Sequence, residues 1–218
     1  AIDLSGMGDS DHRKIYSQTL YAEEIKTVCN DMNWNSADFL AHSMAGPISV
    51  KTASMYPDLF KSLLLLDSII VVPPDKARSF SGRGSMVRSD FVYDDLESAV
   101  KSFRLIPPQP CNNDYLLKHI AVNSFKQTDQ GWILKSDGMI MRTYTYEDLT
   151  DIFMSLKCPI YLVYGLMSQI FSQEILEYTT YVGNLAEESV VGIPGAMHHL
   201  FIDEPIIFVE EVKKLLKK

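Results

Sequence analysis

The chain has 218 residues, 46% hydrophobic and 22% charged, which suits one globular domain with a full core or a domain carrying a large insertion. A formal net charge of -8, without a basic stripe interleaved with aromatics, argues against a nucleic-acid partner. No apolar run reaches the length of a membrane span, and the widely spaced Cys29, Cys111 and Cys158 form neither a disulfide framework nor a zinc pair, so a reducing, cytoplasmic setting is expected.

In chain order, Ala1-Ile2-Asp3-Leu4 reads as the tail of a buried strand, followed by a polar loop punctuated by Gly6 and Gly8. Leu20, Ile25, Val28 and Met32 recur at helical spacing, which predicts a helix over 16–32. Next comes Ala37-Asp38-Phe39-Leu40-Ala41-His42-Ser43-Met44-Ala45-Gly46-Pro47: an apolar run, a Ser in a small-residue turn, then a helical pattern ending before Pro57. The run 61–66 carries four leucines closed by Asp67, the texture of a parallel strand buried on both faces.

Between Val72 and about Ser155 the texture changes. Pro73-Pro74 opens the segment, and 79–88 is rich in Gly, Ser and Arg. Helices are predicted over 93–103 and 115–125, and Gly131 to Asp137 reads as a hairpin piece, so this is a mostly helical insertion. Buried-strand texture returns at Pro159 to Gly165. A helix over 173–182, a strand from Ser189 and a last helix over 205–216 with a basic end complete the pattern. Strands alternating with helices predict an α/β fold with a mostly parallel sheet flanked by helices. The predicted organisation is core over 1–71, helical cap over 72–155 and core over 156–218.

The stretch around Ser43 has the layout of a nucleophile elbow, in which a Ser sits on a strained strand-to-helix turn and its neighbours two residues away must be small. Here those neighbours are Ala41 and Ala45 rather than the commoner glycines, and a plain N-capping Ser fits the same pentapeptide. A nucleophilic Ser needs a base within hydrogen-bond reach and an acid to orient that base. His198, in the loop after the last strand, is the candidate base, and His199 is expected to point into packing or supporting contacts. For the acid, Asp67 at the end of the leucine strand and Glu174 both remain open, since 165–171 carries no carboxylate.

As a set, these segments resemble the α/β-hydrolase superfamily, in its branch of serine esterases with a helical cap. The carrying segments are Asp3 to Asp11, Ala41 to Gly46, Pro194 to Pro205, and the insertion segments Phe103 to Cys111 and Gly131-Trp132. The resemblance implies Ser43 as nucleophile, His198 as base, Asp67 rather than Glu174 as acid, and the Met44 backbone N–H as an oxyanion donor. It implies a small-molecule ester or acyl substrate, no metal and no organic cofactor. A Ser at the elbow argues against dehalogenase or epoxide hydrolase chemistry, which uses a carboxylate there.

In this reading the cap covers the pocket and selects the substrate. Its Phe80, Phe91, Phe103, Leu105, Ile106 and Trp132 line an apolar substrate portion or pack as cap core. The resemblance also implies three strands and a second oxyanion segment ahead of Ala1. The chain is therefore expected to be a piece of a longer hydrolase that neither folds fully nor turns over esters well alone. Two rival functions stand beside the esterase: a non-catalytic hydrolase-like binding protein, and a C–C bond hydrolase or lyase on the same scaffold.

Overall fold

The computed structural model describes residues 1–76 and 91–217. The Gly/Ser/Arg-rich stretch of the insertion, Phe80 included, lies outside the described residues. The chain divides into two compact units, one of residues 1–17 and 83–145, the other of 18–82 and 146–218.

The second unit carries a four-stranded parallel sheet. Its strands are β1 (Ala37–His42), β2 (Phe60–Leu66), β5 (Ile160–Gly165) and β6 (Val190–Ile193), in the order β1-β2-β5-β6. The register aligns His42 with Leu66, Leu66 with Val163 and Gly165 with Ile193, so the carboxyl ends of the strands gather at one edge of the sheet. Leu63, Leu64, Leu65 and Leu66 are all buried. Successive strand residues point to opposite faces, so this run needs cover on both. On one face Leu64 and Leu66 join Val163, Ile193, Leu200, Val212 and Leu215 in a single cluster. The helix α1 (Gln18–Asp31) packs on α2 (Ala45–Met55), which in turn contacts β1 and β2.

Local chemistry sets the helix boundaries. α2 carries Pro47 in its first turn, where a missing N–H costs nothing, and stops at Tyr56, which precedes Pro57 and has non-helical φ −136°. Helix α7 (Gln173–Val182) starts at Ser172, whose side chain accepts from the Ile175 N–H at 3.3 Å. Helix α9 (Pro205–Leu215) opens on Pro205 and ends with Lys213 and Lys214, matching the helix dipole. The short helices α6 (Thr150–Ser155) and α8 (Leu200–Asp203), which periodicity does not predict, also belong to this unit.

The first unit holds α3 (Leu96–Ser102), α4 (Asp114–Asn123), the antiparallel pair β3 (Phe125–Thr128) and β4 (Gly131–Leu134), and α5 (Met139–Thr143). Three expectations are corrected here. Residues 1–4 form no strand: Ser10 Oγ donates to the Asp3 carbonyl at 2.6 Å and Asp3 Oδ2 accepts from the Asp9 N–H at 3.2 Å, so the segment spends its polar groups on its own loop. The helix expected from Tyr93 begins only at Leu96, because Tyr93 exchanges two backbone hydrogen bonds with Trp132 (2.8 and 2.7 Å) and Asp95 caps the helix behind it. Phe125 opens β3 instead of closing a helix, and its ring meets Tyr93 and Phe103 at centroid distances of 5.8 and 6.5 Å. Leu105 is buried, whereas Phe91 and Ile106 are exposed. No helix among the described residues is long and apolar enough to cross a membrane.

Candidate active site

Ser43 follows β1 directly and adopts a left-handed backbone, φ 52°, between the strand and α2. Its N–H donates to the Leu66 carbonyl at 3.1 Å, and its own carbonyl accepts from the Gly46 N–H at 2.9 Å. The turn is tight because Gly46 has no side chain: a Cβ there would lie 2.4 Å from Ser68 Oγ. Ser68, fully buried, uses that hydroxyl to donate to the Ser43 carbonyl at 2.6 Å. Met44 takes the N-cap position of α2 with αR dihedrals, so its amide falls where helix N–H groups have no intrahelical acceptor.

Asp67 ends the leucine strand β2, fully buried and also left-handed at φ 46°. Its carboxylate is satisfied on both oxygens. Oδ1 accepts from the Gly165 N–H at 3.1 Å, and Oδ2 accepts from Ser168 Oγ at 2.7 Å and from His198 Nδ1 at 2.7 Å. A carboxylate has no proton to give, so His198 Nδ1 carries the hydrogen and Nε2 is left with its lone pair. That lone pair faces Ser43 Oγ at 2.9 Å. Ser43, His198 and Asp67, each expected from the sequence, therefore stand in one hydrogen-bonded line within a single unit.

Glu174 stands apart from that line, half-exposed in the first turn of α7 and ion-paired with Lys76. His199 packs as expected, its ring 4.9 Å from His198 and 5.3 Å from His42.

The loop that carries His198 is held from several sides. The Met167 N–H donates to the Ala196 carbonyl at 2.9 Å and the Met197 N–H donates to Asp203 Oδ2 at 2.8 Å. Gly165 lets this loop approach β5, since a Cβ there would lie 2.3 Å from the Met197 carbonyl oxygen. His42 adds a contact from β1: its Nε2 lies 2.8 Å from the His198 carbonyl. Burial first, then the proximity of His198, pushes the His42 imidazolium down to about 3, so its ring is neutral and Nε2 donates.

Ser68, Ser168 and His42 all serve this site without being singled out in the sequence. Their partners lie 25, 101 and 156 residues away, beyond any local pattern. Among the described residues, no group of three or more His, Cys, Asp or Glu side chains is arranged to hold a metal ion. A cavity of about 300 Å³, lined by Lys26, Cys29, Asn33, Trp34, Tyr56 and neighbours, contains none of the three aligned residues.

A family model described as alpha/beta hydrolase fold matches residues 1–205. The chain belongs to this family. A serine hydrolase-like protein of Danio rerio is 23% identical over 149 residues, covering 63% of this chain and 46% of that protein. A pimeloyl-[acyl-carrier protein] methyl ester esterase of Wigglesworthia glossinidia brevipalpis is 23% identical over 224 residues, covering 100% of this chain and 82% of its own length. Among solved structures, an E-2-(acetamidomethylene)succinate hydrolase superposes with a TM-score of 0.83 at 21% identity, covering 99% of this chain and 80% of that one. As an alpha/beta hydrolase fold, the chain places its three aligned residues at the carboxyl ends of β1 and β2 and just after β6, the end of an open α/β sheet where ligands bind.

Proposed function

We propose that the protein is a serine hydrolase that cleaves a carboxylic ester or a similar small acyl substrate through an acyl-enzyme. The observation that carries this reading is the unbroken line from Ser43 Oγ through His198 to Asp67, at 2.9 and 2.7 Å. Ser43 Oγ attacks the acyl carbon while its proton passes to His198 Nε2. Asp67 keeps the hydrogen on Nδ1 and offsets the positive charge of the imidazolium. The Met44 N–H, at the start of α2, donates to the oxyanion as it forms, a contribution worth about 10²–10³ in turnover for one such donor. His198 then returns the proton to the leaving alcohol, and water repeats the sequence on the acyl-enzyme.

The names of relatives, which include esterases and hydrolases, support this class of chemistry. The exposed ion pair of Glu174 with Lys76 supports Asp67 as the acid. Selection of the acyl or alcohol portion is assigned to the inserted residues 72–155.

The test is intact-protein mass before and after a fluorophosphonate probe, alongside turnover of short-chain nitrophenyl esters. One adduct and measurable turnover are expected. Ser43→Ala loses the adduct and lowers kcat by at least about 10³-fold. An adduct that persists in Ser43→Ala refutes the assignment, and a folded wild-type chain that takes no probe favours a binding protein.

A further inference from the structure

Ser43 and His198 come from opposite ends of the sheet order. With neighbouring strands about 4.8 Å apart, the loop after β6 must reach back across three intervals, about 14 Å, to meet the end of β1. The hydrogen bonds of Met167 and Asp203 hold that loop at residues 196 and 197, one residue short of His198 itself. Asp67 holds the His198 ring at Nδ1, and the His198 carbonyl is met by the residue preceding Ser43.

We propose that His42 is a positioning residue that holds His198 against Ser43, gripping the His198 carbonyl through its Nε2–H while its ring lies against the His198 imidazole. This rests on the reading of Ser43 as nucleophile and His198 as base. The carbonyl contact is 2.8 Å, and the two rings lie 4.5 Å apart at 37°. His42 is itself wedged between His199, at 5.3 Å, and the edge of Phe201, at 5.0 Å, so it has little freedom to turn away. One strand end thereby sets the places of both reacting groups: its main chain places Ser43, and its last side chain places His198. The neutrality of His42 matters here, because a charged ring at 4.5 Å would oppose the proton that His198 has to accept. Placement errors near 1 Å cost about 10²-fold in rate, so a single well-directed hydrogen bond to the base is felt in turnover.

The experiment uses the full chain and three variants, His42→Phe, His42→Gln and Ser43→Ala. It measures the rate of fluorophosphonate labelling and the kcat and KM for a nitrophenyl ester. His42→Phe keeps an aromatic ring without the donor and is expected to lower labelling rate and kcat by about 10- to 100-fold, with KM within about twofold. His42→Gln returns an N–H near the Nε2 position and is expected to recover to within about fivefold of wild type. His42→Phe labelling at the wild-type rate overturns the proposal, as does a Gln variant no better than Phe. A measurement on the unaltered protein covers the case in which His42→Phe does not fold. The ¹⁵N spectrum of the histidines at pH 7 is expected to show His42 as the Nε2–H tautomer, and an Nδ1–H tautomer overturns the proposal. A wild-type chain that takes no probe, or labelling unchanged in Ser43→Ala, refutes the hydrolase reading, and the positioning role falls with it.

Discussion

Replacing Asp67 by Asn tests the orientation of the base with almost no change in shape. The amide has one acceptor oxygen and one NH2 where the carboxylate has two acceptors. Three donors converge on Asp67: the Gly165 N–H on Oδ1, and Ser168 Oγ and His198 Nδ1 on Oδ2. If the Asn oxygen stays on His198, its NH2 points at the Gly165 N–H, donor against donor, at a buried site where an unmade hydrogen bond costs about 1–3 kcal/mol. If it turns to satisfy Gly165, its NH2 faces His198 Nδ1 and selects the opposite tautomer. The ring hydrogen then points at Ser43 Oγ, and no lone pair is left to take the serine proton.

Either arrangement also loses the attraction between carboxylate and imidazolium. At 2.7 Å and an effective dielectric near 20 this attraction has a ceiling of about 6 kcal/mol. The amide dipole recovers part of it, so the net loss is expected at about 4–5.5 kcal/mol of transition-state stabilisation, or about 10³–10⁴ in kcat. The assay is steady-state ester hydrolysis at pH 7–8 with a parallel thermal melt, and Glu174→Gln serves as control because its carboxylate pairs with Lys76, near the surface. A folded Asp67→Asn protein retaining more than a tenth of wild-type kcat refutes the assignment of Asp67. So does a larger loss in the Glu174 control.

Ser168→Ala removes one of the two donors on Asp67 Oδ2. It is expected to lower kcat by about 3- to 30-fold, a single hydrogen bond to a charged group, with KM unchanged in the same ester assay. Gly165→Ala drives a methyl into two backbone carbonyls, at 2.3 and 2.5 Å, that cannot rotate aside. A stability loss of about 1–3 kcal/mol, read as a lower urea midpoint, is expected together with weaker fluorophosphonate labelling.

The pH dependence of stability has a worked sign. Folded His42 stays neutral down to about 3, whereas an unfolded histidine takes a proton near 6.5. Between those values the unfolded chain binds more protons. The His42 contribution is therefore fully present above about pH 6.5 and is lost as pH falls towards 3, at up to about 1.4 kcal/mol per unit. Urea midpoints at pH 7, 6, 5 and 4 should fall less steeply in His42→Gln than in wild type.

The parts of the molecule that depend on near neighbours were readable from the residues alone. The helix over 173–182 matched its predicted span because the capping Ser172 and the apolar spacing sit within one stretch of chain. The leucine strand before Asp67 was legible because a buried run carries its own signature, and the strand before Ser43 showed as a short apolar run although its Leu40 is exposed. What escaped depends on partners far along the chain. Tyr93 leaves its predicted helix for Trp132, nearly forty residues on, and Phe125 leaves its helix for a pairing with Leu134. The residues alone left Asp67 and Glu174 both open as the acid, because 165–171 carries no carboxylate, and the family resemblance favoured Asp67. In the structure the Asp67 carboxylate lies against His198 Nδ1 and the distant Gly165 N–H, whereas Glu174 pairs with Lys76, and no local pattern carries those partners.

Among the described residues, four non-glycines have left-handed backbones: Asn33, Ser43, Asp67 and Asn184. Asn takes that conformation readily, so 33 and 184 are comfortable turns. Ser43 has no such ease, and its geometry is maintained at the expense of the surrounding fold. A glycine at 43 would relax the turn and make the protein hardier while leaving it without a hydroxyl. Selection for heat tolerance alone would thus reward inert descendants, and any campaign to toughen this scaffold needs a turnover screen running beside the thermal one.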